Sequence, residues 1–536
     1  MQRREFLKIA GLTLAANAVP QLRGEATVEK PNIILIIADQ RRYGLSKATG
    51  YPLNTSPTLD HLQASGVGFH NNYCTSPLCV PSRISMLTGR WPEAHRVRMN
   101  LQAKEAYFSK DLYQVAKQRG YRTALVGKNH TYLTATDTDV WREFSHEGGY
   151  IPPNAPPEVA EFDKWIKSLH FNVAKEPSPY PLTTQIPHRI VTESMNFIDE
   201  TSNQPFLLQV SFPEPHDPEQ VPAPYWNMFP PASVPARCAG PEALKNMGSR
   251  ARWEYRLQQD NFPETDSNWR RYVSNYLGAL RMIDDQIARL TSYLEKRDLA
   301  KKTLVLFTAD HGDYLMDYGL GRKGVGLYED LTHTPQIWWG YGVRPSTTVE
   351  EAFTSMADVM PTMCEAMGAE IPHGVQGRSL WPLLQGEPFP REEFRSIYSG
   401  VGLGGLYYED DDKIPTSISH DAARLGSWDE LNKVTQSGNQ KMVRMEDWKL
   451  VYDMMGYGQL YDLRNDPCEL TNLFNRPAHA AIQTKLTAEL AMWTIRTQDN
   501  LPTGPQNGKY QTKWSTQHNW YTPYRHGSLA PSPYVP

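Results

Sequence analysis

The chain reads as an α/β protein built on a mainly parallel sheet with helices on both faces, followed by a smaller C-terminal α+β part. Three observations predict this. Apolar runs rich in β-branched residues alternate with segments of helical periodicity, the pattern of βα units. Four of those runs end directly in polar, reactive side chains. Near residue 385 the texture changes to glycine-rich and acidic stretches followed by short alternating strands.

In chain order, Asn32–Ala38 is a continuous apolar strand that delivers Asp39 and Gln40. Pro81 suits a first helical turn, where its missing N–H is no loss, and the apolar spacing from Ser82 carries a short helix to Thr88 and Gly89. Cys79 therefore sits at a helix N-terminus, where unpaired N–H groups and the positive dipole end favour an anion. Arg83, one turn on, offers a planar fork of donors to oxyanions at the same place. The strand Arg122–Gly127 delivers Lys128, Asn129 and His130, and Phe206–Phe212 delivers His216 within the proline-fixed turn Pro213-Glu214-Pro215-His216-Asp217-Pro218. A long helix spans about Trp269 to Lys296, then Thr303–Thr308 delivers Asp310 and His311, and Pro335–Trp339 returns as a strand. In open α/β sheets ligands bind at the carboxyl ends of strands. Reactive side chains recurring at that end argue for one shared site. Asp39, Gln40, Asp310 and His311 supply hard to borderline donors suited to a divalent cation, Ca²⁺ first, with Mg²⁺ or Mn²⁺ also tolerable.

The run Cys79-Val80-Pro81-Ser82-Arg83, followed by Leu87-Thr88-Gly89-Arg90, resembles the signature of the formylglycine-dependent sulfatases. The pair Met442–Val451 and Gln459–Leu463, with Asp466, Pro467, Glu469, Asn472 and Leu473, resembles the small antiparallel C-terminal domain of that family, so the resemblance runs from about residue 31 to 475. It implies an alkaline-phosphatase-like fold and an organisation into a catalytic domain over 31–385, a small domain over 386–500 and an aromatic, proline-rich tail over 501–536. It also implies that Cys79 is oxidised to formylglycine (3-oxoalanine) by a maturase and that its hydrate is the nucleophile. Metal ligation is carried over to Asp39, Gln40, Cys79, Asp310 and His311. Arg83 and the cation steady the nucleophile, Lys128 binds the sulfate, and His130 is the base that re-forms the aldehyde. His216 protonates the leaving alcohol, Lys323 touches the substrate oxygen and the leaving group, and Asn100 lines the pocket. Asp39-Gln40 and Asp310-His311 stand where the commonest sulfatases have Asp-Asp and Asp-Asn, and Asn129 stands where an aromatic is common. These departures point to the choline-sulfatase and phosphonate-monoesterase branch.

Arg3-Arg4-Glu5-Phe6-Leu7-Lys8 followed by Ile9–Ala16 resembles a twin-arginine export signal over residues 1–18, with Ala16-Asn17-Ala18 as a small-residue cleavage site. The apolar run is shorter than the roughly 20 residues that span a bilayer, so the expectation is export through the twin-arginine translocase to the periplasm or beyond a bacterial cell, with no transmembrane segment. The formal charge is −4, and removing residues 1–18, which carry Arg3, Arg4, Lys8 and Glu5, lowers it by two. No global basic field invites nucleic acid. The five cysteines (Cys74, Cys79, Cys238, Cys364, Cys468) have no metal-ligand spacing, and disulfides among those other than Cys79 stay open. The expected substrate is a sulfate monoester on a small molecule or oligosaccharide. The alternatives are a phosphonate monoesterase or phosphodiesterase on the same fold and a non-catalytic carbohydrate-binding relative.

Overall fold

The computed structural model describes residues 30–201, 204–261, 264–324, 326–345, 347–404, 411–412 and 438–498. The expected export signal and the tail 501–536 lie outside them. Among the described residues no helix is long and apolar enough to cross a membrane.

Thirteen strands are described: β1 Asn32–Asp39, β2 Val67–Tyr73, β3 Arg122–Lys128, β4 Val140–Ser145, β5 Gly148–Gly149, β6 Phe206–Pro215, β7 Thr303–Ala309, β8 Gln336–Gly340, β9 Thr347–Ser355, β10 Ser396–Val401, β11 Gln440–Met445, β12 Trp448–Asp453 and β13 Gly458–Asp462. The first nine form one sheet in the order β5-β4-β3-β6-β1-β7-β8-β2-β9. Its centre is parallel, with Ile34 of β1 opposite Leu208 of β6 on one side and Val305 of β7 on the other. Strand β8 runs antiparallel to both β7 and β2, so the expected mainly parallel sheet is mixed toward that side.

The alternation along β1 shows why its apolar run is unbroken. Ile33, Leu35 and Ile37 enter one core, while Ile34, Ile36 and Ala38 enter the core on the opposite face; a strand covered on both faces has no polar side to show. The helix Trp269–Lys296 packs Ile283, Ile287, Leu290 and Leu294 into that second core. Its Asp284 accepts from the N–H groups of Thr58 and Leu59, satisfying two donors in the first turn of the helix Pro57–Ala64. One irregularity matters for the site. Between Ala38 and Asp39 the β1–β6 register jumps, so that Asp39 stands beside Pro215. That brings His216, the next residue, to the end of β1.

Strands β10 to β13 form a separate antiparallel sheet in sequence order. Lys449 of β12, fully buried, bridges Glu329 at 3.1 Å and Glu469 at 2.8 Å and so fastens this sheet to the segment after Lys323. A disulfide joins Cys238 to Cys468, 230 residues apart in sequence. Cross-linking so long a loop removes much entropy from the unfolded chain, on the order of 2–5 kcal/mol. Reduction, or Cys468→Ser, is therefore expected to lower the thermal midpoint by at least about 3 °C. Calorimetry with and without dithiothreitol tests this; an unchanged midpoint in a sample that gains two free thiols rejects it.

Candidate active site

The helix carrying Cys79 spans Cys79–Thr88 and is buried along its whole length. It starts at Cys79 itself, so the side chain leaves the first turn toward the ends of β1 and β7. Asn100 accepts from the Val80 N–H at 3.1 Å, which ties the same turn from outside. Sequence reasoning expected Asn100 to line the pocket; the structure places its oxygen on the backbone next to Cys79.

Around Cys79 four donor groups converge. Its Sγ lies 3.1 Å from His311 Nε2 and 3.6 Å from Asp39 Oδ1. Ligating atoms of Asp39, Cys79, Asp310 and His311 all fall within 4.8 Å of one another, and all four residues are buried. Two carboxylates, an imidazole and a position-79 group form a donor set that fits a divalent cation. The His311 Nδ1 lies 2.9 Å from the Gly312 carbonyl. That carbonyl can only accept, so Nδ1 carries a hydrogen and Nε2 is the nitrogen turned to the cluster.

Cations flank the carboxylates. Arg83 donates from Nε to Asp310 at 2.8 Å and from a terminal nitrogen to Ser211 Oγ at 2.8 Å, with its other terminal nitrogen 3.4 Å from Asp39. The guanidinium thus braces both carboxylates, Asp39 and Asp310, in place of the free fork toward oxyanions that the sequence suggested. Lys128 donates to Asp39 and lies 3.9 Å from the Cys79 sulfur. Burial alone would push the Asp39 carboxyl up, but Lys128, His216 and Arg83 together hold it well below the usual carboxylate range. Burial and Asp39 push the Asp310 carboxyl up in the same way, and His311, Arg83 and Lys128 outweigh them. Both carboxylates are thereby kept ionised and available to a metal. Because Arg83 and Lys128 already balance these two charges, a bound divalent cation leaves the site net positive, as an anionic ester requires.

On the other side, His216 and Lys323 meet, with Nε2 and Nζ 2.8 Å apart. Lys323 also donates to Gln40 Oε1 at 2.9 Å, while Gln40 donates through Nε2 to Asp313 at 2.7 Å. Gln40, in a left-handed conformation at φ 61°, therefore links the cluster to the lysine, and its backbone N–H donates to Asp310 at 2.9 Å. Asp313 in turn accepts from Tyr272 at 3.0 Å.

His146 is the participant that sequence reasoning missed. It lies directly after β4, its Nε2 2.7 Å from Lys128 Nζ, and its ring stacks on His216 with centroids 4.0 Å apart. Burial, His216 and Lys128 hold this imidazole well below its ordinary pKa, so it is neutral and accepts from the lysine. The signal was its place at a strand end, hidden because Val140-Trp141-Arg142-Glu143-Phe144 does not read as an apolar run. His130 sits two residues beyond β3, half-buried, at φ 47°; the imidazole that touches Lys128 is His146.

Glu214, two residues before His216, is 5% exposed with one carboxyl oxygen unpartnered. Burial pushes it up from 4.5 to about 8, against the pull of its own N–H and Arg189. Below the ordinary value the carboxyl is neutral in folded and unfolded chains alike. Between the two values the unfolded chain ionises and the folded one does not, so stability drains away as pH rises toward 8. Glu214→Gln is expected to match the wild type near pH 5 and to melt about 2–4 °C higher at pH 8. A difference independent of pH in thermal scans would reject this.

The chain is similar to several known proteins. The Sulfatase family model matches residues 31–369. A choline-sulfatase of Rhizobium meliloti is 27% identical over 94% of this chain and 94% of its own length. A Delta 4,5-hexuronate-2-O-sulfatase of Bacteroides thetaiotaomicron is 25% identical over 88% of this chain and 90% of its own. Among solved structures, the phosphonate monoester hydrolase of Agrobacterium radiobacter shares the fold at a TM-score of 0.67 and 23% identity, covering 87% of this chain and 96% of that one. With the family model spanning most of the chain and the fold alkaline-phosphatase-like, the chain belongs to the sulfatase family of sulfuric ester hydrolases.

Proposed function

We propose that this is an exported sulfatase that hydrolyses a sulfate monoester, on a sulfated carbohydrate, with formylglycine at position 79 and a divalent cation, Ca²⁺ in the first place. The observation that carries the reading is the convergence of Asp39, Cys79, Asp310 and His311 within 4.8 Å, with the His216–Lys323 pair beside them. Catalysis is assigned to residues 31–385. Export is supported by the twin-arginine pattern and by the Cys238–Cys468 disulfide, a bond that persists in oxidising compartments. The carbohydrate preference rests on relatives such as the hexuronate sulfatase.

When present, the hydrated aldehyde at position 79 supplies the nucleophilic hydroxyl and a second hydroxyl for expelling sulfate, and the cation supplies Lewis acidity. Asp39, Gln40, Asp310, His311 and the group at position 79 would hold the ion. Arg83 keeps both ligand carboxylates in place, and Lys128 offers its ammonium to the sulfate oxygens. His216 gives the Nε2 proton to the leaving alcohol oxygen while Lys323 steadies that oxygen's developing charge. His130 takes the hydroxyl proton when the aldehyde re-forms.

A phosphonate monoesterase is the second reading, favoured by Gln40 and His311 at the metal positions. A paired assay of enzyme matured in the presence of a formylglycine-installing partner, against a sulfate and a phosphonate monoester, decides between them. Greater kcat/KM on the phosphonate overturns the sulfatase reading. Asp310→Ala is expected to drop bound metal from about one ion per chain to a small fraction of that, since it removes one of few hard ligands. Metal analysis of folded protein checks this, and undiminished content rejects the ligand assignment.

A further inference from the structure

The scheme above uses His216 but leaves Asp217 and Arg322 without a task, although Asp217 is buried beside it and Arg322 pairs with Asp217. Asp217 is 1% exposed and Arg322 4%. The Asp217 Oδ1 lies 3.0 Å from His216 Nδ1, and its Oδ2 lies 3.0 Å from an Arg322 terminal nitrogen. The same Nδ1 is 3.1 Å from the main-chain oxygen of Asp217. Because a carbonyl oxygen only accepts, Nδ1 must carry a hydrogen. Nε2 is then the nitrogen turned to Lys323 at 2.8 Å, and one ring face is covered by His146.

This geometry poses a charge problem. To protonate a leaving alcohol His216 must first hold hydrogens on both nitrogens, and the resulting imidazolium stands against the Lys323 ammonium. Like charges at that separation oppose the donor form, and in a buried site little water screens them. A carboxylate on the far nitrogen removes the obstacle. We propose that Asp217 is a positioning residue for His216: its main-chain oxygen holds the Nδ1–H while its carboxylate, beside the same nitrogen, offsets the imidazolium charge, with Arg322 paired to its second oxygen. The inference rests on His216 being the leaving-group acid. In the step itself the Nε2–H bond breaks as the new O–H forms, the S–O bond pair goes to the leaving oxygen, and the Nδ1 hydrogen stays toward Asp217. Glu219, 2% exposed, lies in the same cluster. Burial pushes its carboxyl well up, with Arg322 opposing and Asp217 reinforcing. Arg322 itself pairs with Asp217, its terminal nitrogen 3.0 Å from Oδ2.

The test is a double-mutant cycle on the matured holoenzyme with an alkyl and an aryl sulfate. Asp217→Asn is expected to lower kcat on the alkyl ester by about tenfold or more, short of the 10²–10⁴-fold for losing the acid itself. The loss on the aryl ester should stay within about threefold, with KM little changed on both. In a His216→Ala background Asp217→Asn should cost nothing further, because the residue acts through the ring. Equal losses on the two esters, or full additivity with His216→Ala, overturn the proposal. Should Asp217→Asn fail to fold, Arg322→Gln is expected to give the same leaving-group-selective loss in smaller measure, and a uniform loss overturns it equally. If the wild type acts only on a phosphonate ester, the sulfatase reading fails and the same cycle is run on alkyl and aryl phosphonate monoesters. Independently of turnover, ¹⁵N spectra of histidine-labelled protein should show an Nδ1–H ring for His216 that Asp217→Asn perturbs; an unperturbed resonance rejects the proposal.

Discussion

Cys79→Ala is expected to abolish turnover, by at least about 10⁴-fold, on every ester the wild type accepts. The reason is chemical as well as positional. An alanine leaves Asp39, Asp310, His311, Lys128 and Arg83 in place but removes the atom from which a nucleophilic hydroxyl can be made, and losing a nucleophile costs about as much as losing a whole catalytic unit. Pro81 and Arg83 occupy the positions that a formylglycine-installing enzyme would read, so peptide mass mapping of matured wild type should show the aldehyde at residue 79. Cys79→Ser separates two ideas. A serine hydroxyl can attack sulfur once but offers no second hydroxyl for expelling sulfate, so a trapped sulfated protein is expected in place of steady turnover. A free thiol at position 79 in fully active enzyme would sink this scheme.

The strand ends that build the site were legible because each closes a continuous apolar run: Asp39 as the last residue of β1, Lys128 as the last of β3, His216 just after β6, and Asp310 and His311 just after β7. A strand buried on both faces shows itself in one dimension. Strands β2 and β9 did not, since Asn71 and Asn72 or Glu350 and Glu351 interrupt their patterns and their place in the sheet is set by partners far along the chain. The same limit hid the chemistry that depends on pairing. Arg83 could be placed near Cys79 from helix geometry, but its commitment to Asp310, 227 residues away, follows only from the fold. The joining of Cys238 to Cys468 and the stacking of His146 on His216 are contacts of the same kind. Residue type and local position are written in sequence; which carboxylate meets which cation is written in the topology.

His216→Ala is expected to lower turnover on an alkyl or sugar sulfate by roughly 10²–10⁴-fold, the usual range for removing a general acid. On an aryl sulfate the loss should be far smaller, because a phenolate of low proton affinity departs with little help. The contrast matters more than either number. His216 is 3% exposed and is packed against His146, Lys323 and Asp217, so its removal could disturb the site in ways unrelated to proton transfer. A cavity or a displaced nucleophile would slow both esters alike, since both need the same attack at sulfur. Only loss of a proton at the leaving oxygen scales with how badly that oxygen needs one. A series of esters with graded leaving-group acidity should therefore show a steeper dependence in His216→Ala than in wild type. Parallel lines across the series would move His216 from acid to scaffold and turn attention to Lys323, whose Nζ lies 2.8 Å from the His216 Nε2.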